Sequence, residues 1–241
     1  MDLALLLCSY LLWCPLEILA ISAVLRVGAR RYPLVLSYLV ATFLGAVAQV
    51  PATWAYFEHR RPNGSGYVHL YWLNEGITDI LIFAVVITFI YRATSGLATR
   101  RTVRRSLGVG SLLYVGVSFL IHYQSDVALG LWMTPWTRDI TFCAAILDLA
   151  LWAILIGARS SDSRLLMLSG GMGVMFCGMA IGESFKTIAI HYQSHPIVVV
   201  GNAVEQIGNI VFLYVWWQTF RREASERVTA PLATKPAVLP E

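Results

Sequence analysis

Seven apolar stretches, each long enough as a helix to cross about 30 Å of hydrocarbon, leave few folds open to this chain. They are Leu3–Leu25, Pro33–Phe57, Leu70–Tyr91, Val103–His122, Pro135–Ala158, Leu165–Ile190 and Pro196–Phe220. In a bilayer every backbone N–H and C=O must be bonded within the protein, so a spanning segment is a helix or a strand of a closed barrel. Barrel strands alternate apolar and polar residues, and these stretches do not. Composition agrees: 57% of residues are hydrophobic and 13% charged, against about 25% charged in a soluble domain. The expected fold is all-α, a polytopic membrane protein with seven transmembrane helices.

The connecting charges orient it. Arg26, Arg30 and Arg31 follow the first stretch; Arg92, Arg100, Arg101, Arg104 and Arg105 lie between the third and fourth. Arg159 and Arg164 lie between the fifth and sixth, and Arg221, Arg222 and Arg227 follow the seventh. The opposite side carries only Arg60, Arg61, Arg138 and Lys186. Basic residues stay on the cytoplasmic side, so the N-terminus is expected outside and the C-terminus in the cytoplasm of a cell inner membrane. The fourth stretch is the least uniform, with Arg104 and Arg105 near its start and Gly108, Gly110 and Gly116 within it. The first has no basic residue at its amino end and is too long for a signal-peptide core, so it is read as an uncleaved helix.

Residues 1–222 form the expected transmembrane domain and residues 223–241, with Pro231, Pro236 and Pro240, an expected disordered cytoplasmic tail. The extramembrane runs are too short for a second domain, so signalling output would need a cytoplasmic partner chain. Beyond the lipid bilayer, the expected partner is a small ligand or cation; nucleic acid is not expected. Cys8, Cys14, Cys143 and Cys177 lack CxxC spacing and read as small packing residues.

Polar residues within the apolar stretches carry the functional signal, because an unpartnered charge in hydrocarbon costs a few kcal/mol. Asn202, Glu205, Gln206 and Asn209 follow the i, i+3, i+4, i+7 spacing of one helical face, and Tyr71, Asn74, Glu75, Thr78 and Asp79 do the same. Thr42, Gln49 and Thr53, then Ser111, Tyr114, Ser118 and His122, then Glu183 and Lys186, add further polar positions. Glu17 and Asp148 lie deeper and Asp139 at the outer rim. Together they predict an acidic, outward-facing polar pocket, with Asn74, Glu75, Asp79, Glu183, Lys186, Asn202, Glu205, Gln206 and Asn209 as its ligand-binding residues. Two plainer readings stand beside it: interhelical hydrogen bonding by the amides, and mutual neutralisation of Glu183 and Lys186 three residues apart.

All five histidines, His59, His69, His122, His191 and His195, fall at the outer level, where their titration would make binding pH-dependent. Only His191 and His195 have a helical pair spacing for a metal, and Pro196 threatens it by starting a new helix. No cofactor is expected. A retinal Schiff base needs a lysine in the seventh helix, a membrane haem needs histidines at depth, and a hydrolase needs a set such as HExxH or GxSxG; none is present.

The pentapeptide IHYQS occurs at Ile121 to Ser125 and again at Ile190 to Ser194. Tyr56 to His59 is a looser third copy, and the segment Glu75 to Ile80 aligns with Glu205 to Ile210, each glutamate preceding an arginine, Arg92 or Arg222, by seventeen residues. One leading helix plus three parallel hairpins would produce this pattern. So would a chain of few residue types with a tyrosine at every outer boundary. Finally, YWLNE, Tyr71 to Glu75, resembles the YWxxE element of a group of bacterial multi-pass membrane proteins without an assigned activity; the resemblance implies the seven-helix plan and no substrate. The leading expectation is a receptor-like or sensory component, the alternative a transporter.

Overall fold

A computed structural model describes residues 3–57, 64–95, 100–125, 129–157 and 162–229. Seven helices follow in chain order: α1 (Leu3–Val27), α2 (Pro33–Phe57), α3 (Gly64–Ala93), α4 (Arg100–His122), α5 (Leu129–Gly157), α6 (Ser163–Tyr192) and α7 (His195–Thr229). Among the described residues there is no strand. Six of the helices, α2 to α7, contain segments long and apolar enough to cross a membrane, so the chain is built as a multi-pass membrane protein. The fourth stretch, the least uniform in sequence, is among them as Arg101–His122.

Local chemistry sets the helix ends. Gly28 takes φ 114°, a backbone conformation only glycine adopts freely, and its N–H returns to the Val24 carbonyl at 3.0 Å to close α1. Asp162 caps α6 by accepting from the Leu165 N–H at 3.2 Å. At the other end of α6, Gln193 turns left-handed at φ 51° and Ser194 donates to the Ala189 carbonyl at 3.0 Å. The second IHYQS copy is thus a helix stop, and the first plays the same part, since α4 ends at His122.

Side chains divide by environment. The interior holds Leu39, Val86, Phe89, Ile140, Leu151, Met172 and Trp216, all at most 1% exposed. Trp216 Nε1 donates to the Leu168 carbonyl at 2.9 Å, and its ring meets Phe89, Phe212 and Phe220. Outward faces carry large apolar residues, such as Leu44, Leu73, Leu149 and Ile207. That inverted surface suits a hydrocarbon solvent.

Helices α6 and α7 form the closest pair. A Cβ on Gly178 would come within 3.1 Å of Gly208 Cα, and one on Gly182 within 2.8 Å of the Gly201 carbonyl oxygen. The glycine stripe therefore serves packing inside the chain. In contrast, among the described residues α4 packs on α3 and α5 alone and presents Leu112, Val117 and Leu120 outward.

One boundary is corrected. Residues 223–229, assigned to the tail, continue α7 as helix. The cause is Glu223, 1% exposed, which pairs with Arg31 at 2.9 Å and Arg164 at 3.5 Å and accepts from the Tyr32 hydroxyl at 3.1 Å. The Arg92 guanidinium lies 4.2 Å above the Tyr32 ring, so the ends of α3, α6 and α7 and the α1–α2 turn are joined in one charged knot. Residues from 230 onward lie outside the described residues.

Candidate functional site

A cavity of about 270 Å³ lies within the bundle, lined from α1, α2, α3, α5, α6 and α7. On α3 and α7 the i, i+4 spacing aims polar side chains inward: Asn74, Glu75, Thr78 and Asp79 from one, Glu205, Gln206 and Asn209 from the other. Glu75 and Glu205 lie about 16 and 15 Å along their helices at 1.5 Å per residue, and both line the one cavity. These are also the glutamates that align in sequence.

Six of the nine predicted ligand-binding residues line the cavity: Asn74, Glu75, Asp79, Glu205, Gln206 and Asn209. Lys186 stands beside it, its Nζ 2.6 Å from Glu205 Oε2 and 2.8 Å from Glu183 Oε1. Mutual neutralisation of Glu183 and Lys186 is therefore only half of the arrangement, because the ammonium also bridges α6 to α7. Glu183 faces outward with its side chain 59% exposed. Asn202, one turn nearer the start of α7, does not line the cavity, and neither does Glu183.

Other expected members separate from the cavity. Asp139 accepts from Ser118 Oγ at 2.9 Å and meets His122 Nε2 at 2.9 Å, while Tyr114 donates to its carbonyl at 3.1 Å. This is a fastening between α4 and α5. Asp148 accepts from Ser169 Oγ at 2.6 Å between α5 and α6. None of the described histidines lines the cavity; His59 and the side chain of His191 lie outside the described residues. The His191–His195 pair does not share a helix, since α6 ends at Tyr192 and α7 begins at His195. Among the described residues no cluster of three or more His, Cys, Asp or Glu side chains is arranged to hold a metal. Cys177 is exposed and does not pack in the core.

Glu17 is fully enclosed. One of its carboxyl oxygens bonds the Thr42 hydroxyl, which lines the cavity; the other has no hydrogen-bond partner among the described residues. Gln206 Oε1, in the wall itself, is likewise buried and unpartnered among the described residues. An orphaned buried acceptor costs about 1–3 kcal/mol, and native proteins keep few of them.

Beyond Ala46, Gln49 and Ile82, the remaining wall is aromatic, thioether and hydroxyl: Trp13, Tyr38, Tyr71, Thr141, Met175, Phe176 and Met179. Thr141 hydrogen-bonds Asp79, and the Tyr38 hydroxyl points to Met175 Sδ at 3.8 Å. Of these, sequence reasoning had only Tyr71, because aromatic and sulfur side chains in an apolar helix carry no signal that separates wall from core. Gly45 was also missed: a Cβ there would collide with the Asn74 amide, so α2 must be bare at that point for Asn74 to lie where it does.

Comparison with protein-family models, curated proteins and solved structures finds no match.

Proposed function

We propose that the chain is a seven-span protein of the cell inner membrane, N-terminus outside and C-terminus cytoplasmic, that binds a small ligand or cation in the polar cavity of its outer half. It acts as a receptor-like or sensory component, passing occupancy to a cytoplasmic partner chain. The observation that carries the reading is the convergence of Glu75, Asp79 and Glu205 on one cavity of about 270 Å³, where acids without a binding role would be a costly feature of a membrane interior. The distribution of arginines supports the orientation, and the charged knot around Glu223 then lies on the cytoplasmic side, where a partner would meet it.

Transport is the second reading, favoured by Glu17, which extends the polar surface beyond Thr42 toward the middle of the bundle. The two separate in one experiment on the purified chain, reconstituted in nanodiscs and in proteoliposomes, with a panel of small cations and cationic solutes. Saturable thermal stabilisation, lost in Glu75→Gln and Glu205→Gln, with no solute flux supports the receptor. Flux that disappears in Glu17→Gln supports the transporter. If both glutamate variants match the wild type in every assay, the polar residues are interhelical fastenings and the site reading fails.

A further inference from the structure

We propose that the cavity takes a small amphipathic organic ammonium, and that Lys186 is a tethered competitor for its charge. The inference rests on the site reading above and narrows it to one ligand class. Four observations carry it.

The site already holds an ammonium of the protein's own. Lys186 Nζ is bonded to both Glu205 and Glu183, so the geometry at Glu205 accepts an N–H donor and not only a bare ion. Second, the charge is uneven. Glu205 has Lys186, whereas neither Glu75 nor Asp79, on adjacent turns of α3, has a basic side chain within ion-pair distance among the described residues. Asp79 is only 8% exposed, and a buried acid of this kind is stabilised by a cationic partner. Third, the wall holds an acceptor without a donor. Besides the carboxylates, Gln206 Oε1 is buried without a partner among the described residues, and an ammonium supplies three donors to such a set.

Fourth, size and lining favour an organic cation over a bare ion. About 270 Å³ is the space of several waters at roughly 30 Å³ each, and part of its wall is Trp13, Tyr38, Phe176, Met175 and Met179. Aromatic faces and thioethers attract an organic cation and its apolar body, and they are poor ligands for hard metal ions, which demand a shell of oxygens. Bound in this way, the ammonium sits at Glu75 and Asp79 with its apolar part toward α6. To reach Glu205 as well, it must displace Lys186, which then keeps Glu183 as its partner.

The test uses the full chain in nanodiscs with four probes: benzylamine, protonated at neutral pH; benzyl alcohol, its uncharged counterpart; potassium chloride; and calcium chloride. Benzylamine is expected to raise the melting temperature saturably and benzyl alcohol not to. The double variant Glu75→Gln/Asp79→Asn is expected to abolish the shift. Lys186→Met is expected to tighten benzylamine binding about tenfold, the scale of one charge-assisted hydrogen bond; Lys186→Gln replaces it if the methionine variant is unfolded without ligand. Saturation by potassium or calcium with no response to benzylamine overturns the ammonium assignment and leaves the cavity as a site. Equal binding of benzyl alcohol, retained in the double variant, overturns the role of charge. Weaker binding in both Lys186 variants overturns the competitor role. No response to any probe, with unchanged stability in the double variant, overturns this inference and the site reading together.

Discussion

Glycine 45 shows how a single absent side chain shapes the site. Its Cα is covered by the Asn74 amide, and the clashing atoms belong to the end of a side chain that can swing away. Gly45→Ala is therefore expected to cost little stability and to displace Asn74 from the cavity wall. The expected result is a melting temperature close to wild type with benzylamine binding weakened up to about tenfold, as for one lost hydrogen bond of about 0.5–1.5 kcal/mol. A thermal-shift titration reads both quantities at once, and unchanged affinity would remove Asn74 from the site. At this scale the acids and amides of α3 and α7 were legible, because helical spacing puts Glu75 and Asp79, or Glu205 and Asn209, on one face. Thr141 and Met175 were not, since nothing local distinguishes a residue that meets a cavity from one that meets another helix.

Among the helices, α6 and α7 are held in register by backbone contact, and that register positions charge. Gly182 meets Gly201, and one turn further along each helix stand Lys186 and Glu205, bonded at 2.6 Å. A side chain at Gly182 has the Gly201 carbonyl in its way, which cannot rotate aside. Gly182→Leu is therefore expected to destabilise the bundle by about 1–3 kcal/mol, as overpacking does, and to part Lys186 from Glu205. Thermal unfolding in nanodiscs measures the first effect; a variant as stable as wild type would show that the helices separate freely. The glycines in sequence announced a close approach without naming the partner helix. Helix α4 is the opposite case, fastened through Asp139, through Phe119 against Trp132 and Trp136 and through the Tyr91 hydroxyl on the Arg104 carbonyl, with large apolar residues turned outward along the rest of its length.

Across the whole molecule, two layers of polar groups lie on either side of the apolar core around Trp216, and the Asp148–Ser169 pair stands apart from both. The upper layer is the cavity; the lower is the knot in which Glu223 joins Arg31, Arg164 and Tyr32. Removing a buried acid leaves its partners uncompensated, but the arginines here are partly exposed, which moderates the cost. Glu223→Ala is expected to lower stability by about 1–3 kcal/mol and to loosen the last turns of α7, with Glu223→Gln milder because an amide oxygen still accepts from Tyr32. Hydrogen exchange along residues 221–229 checks this, and protection equal to wild type would mean that the helix end is held by something else.

The all-helical plan and the placement of most polar residues follow from sequence alone, because a bilayer requires long apolar helices and makes every interior acid conspicuous. Which acids meet was decided by tertiary structure. Asp139, Asp148 and Glu75 are all acids within apolar stretches, yet the packing of α4 on α5 engages the first with His122, the packing of α5 on α6 engages the second with Ser169, and of the three only Glu75 reaches the cavity. Likewise Glu223 read as part of a disordered tail, since its partners Arg31 and Arg164 are distant in sequence and meet it only once the helix ends have converged. Helical periodicity assigns a residue to a face; the rotation and depth of the neighbouring helix decide what that face touches.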